Sequence, residues 1–134
     1  MDGKEQLENK GACHDVFFLT TLDKAPGFIS AVSGLKYPTE NMGVYLQPIV
    51  QGTSCHCEFN LFTDPTKWNE IELTRWMVNE GSRDVAKQGG FFSRPYGPWA
   101  DFAYCNAAEA VIMQRKIKKI FDPNGILNPA KLCL

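Results

Sequence analysis

The sequence has no apolar run approaching the roughly 20 residues of a membrane span, and almost no net charge, since 14 Lys and Arg face 15 Asp and Glu. The first absence argues against a spanning helix, and the second gives no reason to expect nucleic acid or an anionic membrane surface as a partner. No Cys-x-x-Cys pair occurs, and the five cysteines (Cys13, Cys55, Cys57, Cys105 and Cys133) are odd in number. Cys55 and Cys57 would share one face of a strand, a poor geometry for bridging each other, so reduced thiols serving as small apolar side chains are the default reading. Met1-Asp2-Gly3-Lys4-Glu5-Gln6 lacks the pattern of a signal peptide, and a soluble cytoplasmic protein is expected. There is no glycine-rich loop between a strand and a helix. Gly89-Gly90 follows an expected helix and precedes an expected strand, the wrong order for a dinucleotide fingerprint. Internal repeats and low-complexity segments are also absent.

What is present suits one ordinary domain. The 134 residues are 44% hydrophobic and 22% charged, a globular balance with enough chain to bury a core. Residues 1–13 read as a polar leader, 14–98 as a folded core, and 99–134 as a terminal helix and tail.

Residues 14–22, rich in aromatic and β-branched side chains, predict a strand, and 23–35 predict a helix with Phe28, Ile29, Val32 and Leu35 on one face. Two strands, 43–51 and 54–62, flank a Gly52-Thr53 turn as an antiparallel hairpin. In the first, Val44, Leu46, Pro48 and Val50 alternate with Tyr45, Gln47, Ile49 and Gln51; in the second, Cys55, Cys57, Phe59 and Leu61 alternate with His56, Glu58, Asn60 and Phe62. Asp64-Pro65-Thr66 opens a long helix towards Val85, with Trp68 and Trp76 expected in the core. A short strand at 91–94 is stopped by Pro95, 95–105 is a loop, and a terminal helix carries Ala110, Met113, Ile117, Ile120 and Phe121 on one stripe. The order β-α-β-β-α-β predicts an α+β, ferredoxin-like antiparallel sheet with both helices on one face.

The opposite face then carries Tyr45, Gln47, Gln51, His56, Glu58 and Asn60, more amide, phenol and imidazole than a plain solvated face. Such a face is either a ligand surface or a docking surface. His56 is the natural general base, because an unperturbed imidazole accepts a proton near neutral pH. Glu58, two residues along, would orient it; Arg94 could pair with a carboxylate or phenolate, and Tyr96 could donate a hydrogen bond. A strand His beside a Glu is equally a common surface pair. Zinc at Cys55-His56-Cys57 is disfavoured, because Cys and His point to opposite faces. The basic residues of the terminal helix lack interleaved aromatics and read as a solvated face.

The tail carries a resemblance. Asp122-Pro123-Asn124-Gly125-Ile126-Leu127-Asn128-Pro129-Ala130-Lys131, after a basic helix, resembles the C-terminal signature of FAD-linked oxidases of the vanillyl-alcohol oxidase superfamily, with Ala130 where the family usually has Gly. The hairpin at 43–65 is similar to the hairpin of that family's substrate, or cap, domain. The family's Gly-Gly-x-x-x-Gly-Glu-His-Gly stretch corresponds to Gly89–Gly97, which has no Glu-His pair, and the likeness is greater to the aryl-alcohol branch, with Arg94 at the arginine position and Ser93 replacing the tyrosine.

The resemblance implies a substrate-binding C-terminal portion of an FAD-dependent oxidoreductase acting on an alcohol, phenolic alcohol or hydroxyacid by hydride transfer to flavin. FAD would be held mainly by a domain outside this chain, on the same or a companion chain, and the chain alone would be inactive. The site residues implied are His56, Glu58 and Arg94 for catalysis, Tyr45, Gln47, Gln51 and Tyr96 for a small-molecule substrate, and Asn128 and Lys131 towards the cofactor domain; no metal is implied. The alternative is a stand-alone ferredoxin-like ligand-binding or docking module, a homo-oligomer without catalysis.

Overall fold

A computed structural model describes residues 11–94, 97–105 and 107–129. The chain divides into two compact units, 1–91 and 92–134.

The first unit is α+β. Strands β1 (Ala12–Thr20), β2 (Met42–Ile49) and β3 (Ser54–Thr63) form an antiparallel sheet in the order β1-β3-β2, with α1 (Ala25–Ser33) following β1 and α2 (Trp68–Lys87) following β3. The central strand follows its alternation closely: Cys55, Cys57, Phe59, Leu61 and Thr63 are buried, and the residues between them are half-buried. Against this row pack Val16 and Phe18 of β1, Phe28 and Val32 of α1, and Met77 and Val85 of α2. The Phe18 ring lies 4.8 Å from that of Phe28 and 6.1 Å from that of Phe59, aromatic spacings within the favourable range. Tyr37 closes the loop after α1, its hydroxyl donating to the Phe62 carbonyl at 3.1 Å and lying 3.3 Å from Thr74 Oγ1.

Several expectations are adjusted. The strand expected at 91–94 is reduced to one antiparallel bridge, in which Phe91 and Leu19 exchange both backbone hydrogen bonds at 2.8 Å on the outer edge of β1. Phe92 leaves the ladder and is buried, its ring 5.6 Å from Trp99. β2 is the opposite edge, and there Val44 and Leu46 are exposed along with Tyr45, because α2 lies over β1 and β3. Helix α2 begins at Trp68 rather than at Asp64: the Asp64 carboxylate accepts the Thr66 amide at 2.9 Å and its hydroxyl, forming a turn that precedes the helix. Glu70, in the first turn of α2, reaches back to the Asp64 amide at 3.0 Å. Trp68 and Trp76, expected in the core, are exposed, and Trp99 is buried.

The second unit holds α3 (Trp99–Tyr104), where a loop was expected, and α4 (Ala108–Phe121). α3 starts directly after Pro98, with Asp101 in its first turn, both favourable at a helix N-terminus. α4 runs to the Asp122-Pro123 stop and buries Val111, while Met113, Ile117, Ile120 and Phe121 are exposed, Phe121 at 78%. Among the described residues no helix is long and apolar enough to cross a membrane.

Candidate functional site

The face of the sheet turned away from α1 and α2 is laid out by the register. Three consecutive rows cross it: Asp15, Asn60 and Gly43; Phe17, Glu58 and Tyr45; Leu19, His56 and Gln47, each in the order β1, β3, β2. Side chains in register on antiparallel strands share a face, so the polar residues of β3 meet partners from both neighbours.

At the centre His56 Nε2 lies 3.1 Å from Glu58 Oε2, both side chains a quarter exposed. A carboxylate only accepts, so Nε2 carries the proton in this contact and Nδ1 holds the lone pair. Glu58 Oε1 accepts from Asn60 Nδ2 at 2.6 Å, and the same amide nitrogen donates to Asp15 Oδ1 at 2.9 Å. Phe17, buried although it is on this face, stacks on the imidazole at 5.9 Å and 27°, and Tyr45 meets it edge-on at 6.2 Å. The result is an imidazole between two aromatic rings, oriented by a carboxylate that is itself hydrogen-bonded. Such an arrangement can accept a proton from a hydroxyl and share the resulting charge with Glu58.

Cys13 also belongs to this face, and its thiol donates to Asp15 Oδ1 at 3.2 Å. Burial, then the Asp15 hydrogen bond and charge, push its pKa up to about 12, so near neutral pH it is a thiol and a poor nucleophile. Cys57, on the core face 3.9 Å from Cys55, is likewise pushed up to about 12 by burial. Among the described residues no group of three or more His, Cys, Asp or Glu is placed to hold a metal ion.

Of the sequence-derived site residues, His56, Glu58, Tyr45 and Gln47 are brought together. Gln51 is not in their rows: β2 ends at Ile49, and Gln51 sits in the hairpin turn with φ 55°. The reason is local, since Val50, Gln51 and Gly52 all have positive φ and turn the chain before it can continue the alternation. Arg94 is exposed and belongs to the second unit. Asn128 is exposed in the tail with φ 48°. Tyr96 and Lys131 lie outside the described residues. Sequence reading missed Asp15 and Phe17, which enter the face only through the β1–β3 register, a pairing that single-strand alternation does not reveal.

Each unit has a shallow cavity. Leu19, Thr20, Lys24, Ser54, Gly89 and Phe91 line one of about 320 Å³, with Leu19 the register partner of His56. In the second unit one of about 450 Å³ lies between α3 and α4, lined in part by Tyr104, Cys105, Ile112 and Arg115.

The tail is organised by one carboxylate. Asp122, buried at the end of α4, accepts Lys118 Nζ at 2.7 Å and the amides of Ile126 and Leu127 at 2.9 and 3.0 Å, while Lys118 also donates to the Leu127 carbonyl at 2.7 Å.

Compared with known proteins, residues 101–132 match the family model described as FAD linked oxidases, C-terminal domain. No curated protein and no solved structure matches the chain.

Proposed function

We propose that this chain is the substrate-binding C-terminal portion of an FAD-dependent oxidoreductase, a soluble cytoplasmic enzyme in which a separate domain holds the flavin. The match of residues 101–132 to the C-terminal domain of FAD-linked oxidases carries this reading. The His56–Glu58 pair on the uncovered sheet face supports it. With Phe91 bridging to the outer edge of β1, the sheet reads as a ferredoxin-like arrangement whose fourth strand has shrunk to one residue pair.

The described residues do not fit FAD itself. The Gly89-Gly90 pair ends α2 rather than opening a helix, and a Cβ at Gly90 would overlap Val85, so this glycine serves packing rather than phosphate approach. What this chain offers is the substrate side. His56 takes the proton of the substrate hydroxyl on Nδ1, and Glu58 stabilises the imidazolium through Nε2–H. Phe17 and Tyr45 give an aromatic flank to the alcohol, and Gln47, opposite His56, supplies an amide for a polar substituent. Arg94, Tyr96, Asn128 and Lys131 take roles only in the assembled enzyme, Asn128 and Lys131 on the side of the flavin domain. Bound FAD supplies the hydride acceptor, and without it the chain alone is inactive.

A second reading, a docking module without catalysis, is favoured by the exposed stripe of α4 and by exposed Val44 and Leu46 on the edge strand. Sequencing the source DNA upstream of the Met1 codon separates the two. An in-frame or neighbouring coding stretch for an FAD-binding domain, whose co-expressed product shows flavin bleaching with an aryl or aliphatic alcohol, is the expected result. A stop codon with no flavin gene nearby would overturn the enzyme reading.

A further inference from the structure

The polar contacts on the uncovered face converge on an amide rather than on the histidine. Asn60 Nδ2 has two N–H groups and two carboxylate partners, Glu58 Oε1 at 2.6 Å and Asp15 Oδ1 at 2.9 Å. The amide can be oriented in only one way, since turning Oδ1 towards two carboxylates would set acceptor against acceptor. Asn60 stands in register between Asp15 on one side and Gly43 on the other, and a Cβ at Gly43 would come within 3.4 Å of Asn60 Oδ1 and 3.5 Å of Asn60 Cβ. Both are ordinary van der Waals distances, so the Asn60 side chain packs over the Gly43 position.

We propose that Asn60 is a positioning residue: by binding one oxygen of Glu58 it commits the other to His56 Nε2–H, and so keeps the Nδ1 lone pair available. The inference rests on the reading of His56 as the base, but it concerns this chain's own hydrogen bonds. Without Asn60, Glu58 and Asp15 are two carboxylates on neighbouring rows with no donor between them, and repulsion turns Glu58 away from its present rotamer. The other groups at this locus, Cys13 and Tyr45, do not replace the donor: the Cys13 thiol is already given to Asp15, and Tyr45 meets His56 through its ring edge.

The test uses the chain as it stands. It has two histidines, His14 and His56, so nitrogen-15 spectra of the imidazoles are simple to assign, and His14, opposite Leu61 on the other face, is an internal control. In the wild type the His56 Nε2 proton should be protected from water exchange. In Asn60→Leu, which removes the donor, and in Asn60→Asp, which keeps the shape but supplies an acceptor, that proton should exchange on the order of tenfold faster, the factor a weakened charge-assisted hydrogen bond implies. Asn60→Gln, which keeps an amide donor, should retain most of the protection. Backbone amides of β3 and the His14 signals should not change. Unchanged His56 exchange in both Asn60→Leu and Asn60→Asp would overturn the proposal. So would exchange that accelerates only in step with the β3 backbone, because that would make Asn60 a stabilising residue alone. Neither result depends on whether a flavin domain is found, so failure here is distinct from failure of the enzymatic reading.

Discussion

Lys118 Nζ stands 2.7 Å from Asp122 Oδ2 across the last turn of α4, and the pair is nearly closed to solvent on the aspartate side, at 3% exposure. The same carboxylate accepts two backbone amides of the following loop, so helix and tail share one anchor. Lys118 foremost, with the two amides, holds the Asp122 carboxyl below its ordinary value of 3.8, against the opposing effect of burial. A carboxyl more acidic when folded than when unfolded stabilises the fold above the unfolded value and loses that contribution as pH falls through the folded one. Protection of the Ile126 and Leu127 amides, taken relative to the intrinsic exchange rate at each pH, should therefore be constant near neutral pH and should fall only below about pH 4. Asp122→Ala should abolish the protection at every pH, on the order of tenfold. Equal protection in the variant would show that the loop is held by something else.

The hairpin turn stores strain at Val50. Its φ is 49°, a region costly for a β-branched residue, and its side chain is 69% exposed, so no packing compensates. Thr53 ties the turn together from the far side, its amide and hydroxyl both donating to the Val50 carbonyl at 3.2 and 2.8 Å. Val50→Asn keeps that carbonyl and suits the left-handed region, and should stabilise by about 1 kcal/mol, raising the melting temperature by about 3–5 °C. An unchanged or lower midpoint in a thermal melt would remove strain as the description of this turn.

Gly90 should tolerate nothing larger. A Cβ there would overlap Val85 Cγ1 and stand 3.0 Å from Phe18 Cδ2, two of the most buried groups in the first unit. The Gly90 amide also donates to the Val85 carbonyl at 2.9 Å, so the backbone has little room to retreat. Gly90→Ala should cost about 1–3 kcal/mol in urea denaturation, through overpacking. The adjacent Gly89→Ala meets no atom within 4 Å but has φ +84°, and its cost would be backbone strain alone.

These sites mark how far the sequence is legible. β3 could be read residue by residue because a central strand is covered on one face and period-2 alternation has a single physical cause. β2 could not, since alternation identifies which residues share a face but not whether a helix lies over it; Val44 and Leu46 alternate correctly and remain exposed. The stripe Met113, Ile117, Ile120 and Phe121 is periodic for the same reason and is likewise uncovered. α3 was hidden within residues 95–105, read as a loop after Pro95, although Pro98 before Trp99 is also a helix start. His56 and Glu58 were legible because residues two apart on a strand must share a face. Asp15 lies 45 positions from its partner Asn60, and no local pattern brings it there. The Asp122 anchor had a signal, an Asp opening a Pro-Asn-Gly turn, whose side chain commonly takes up backbone amides.

The proposed chemistry predicts distinct effects for the two members of the central pair. In the assembled enzyme, His56→Ala removes the proton acceptor and should lower kcat about 10²–10⁴-fold with a smaller change in KM. Glu58→Gln keeps the shape, and its amide oxygen can still accept from Nε2–H at the present 3.1 Å, but it withdraws the negative charge that stabilises the imidazolium. Its loss should be smaller, on the order of tenfold. Raising the pH should recover more of the activity of His56→Ala than of Glu58→Gln, because hydroxide or an ionised substrate can stand in for the missing proton acceptor. Stopped-flow flavin reduction across pH measures both. If His56→Ala reduced flavin at the wild-type rate, the proton acceptor would lie elsewhere, and the uncovered face would be left with binding alone.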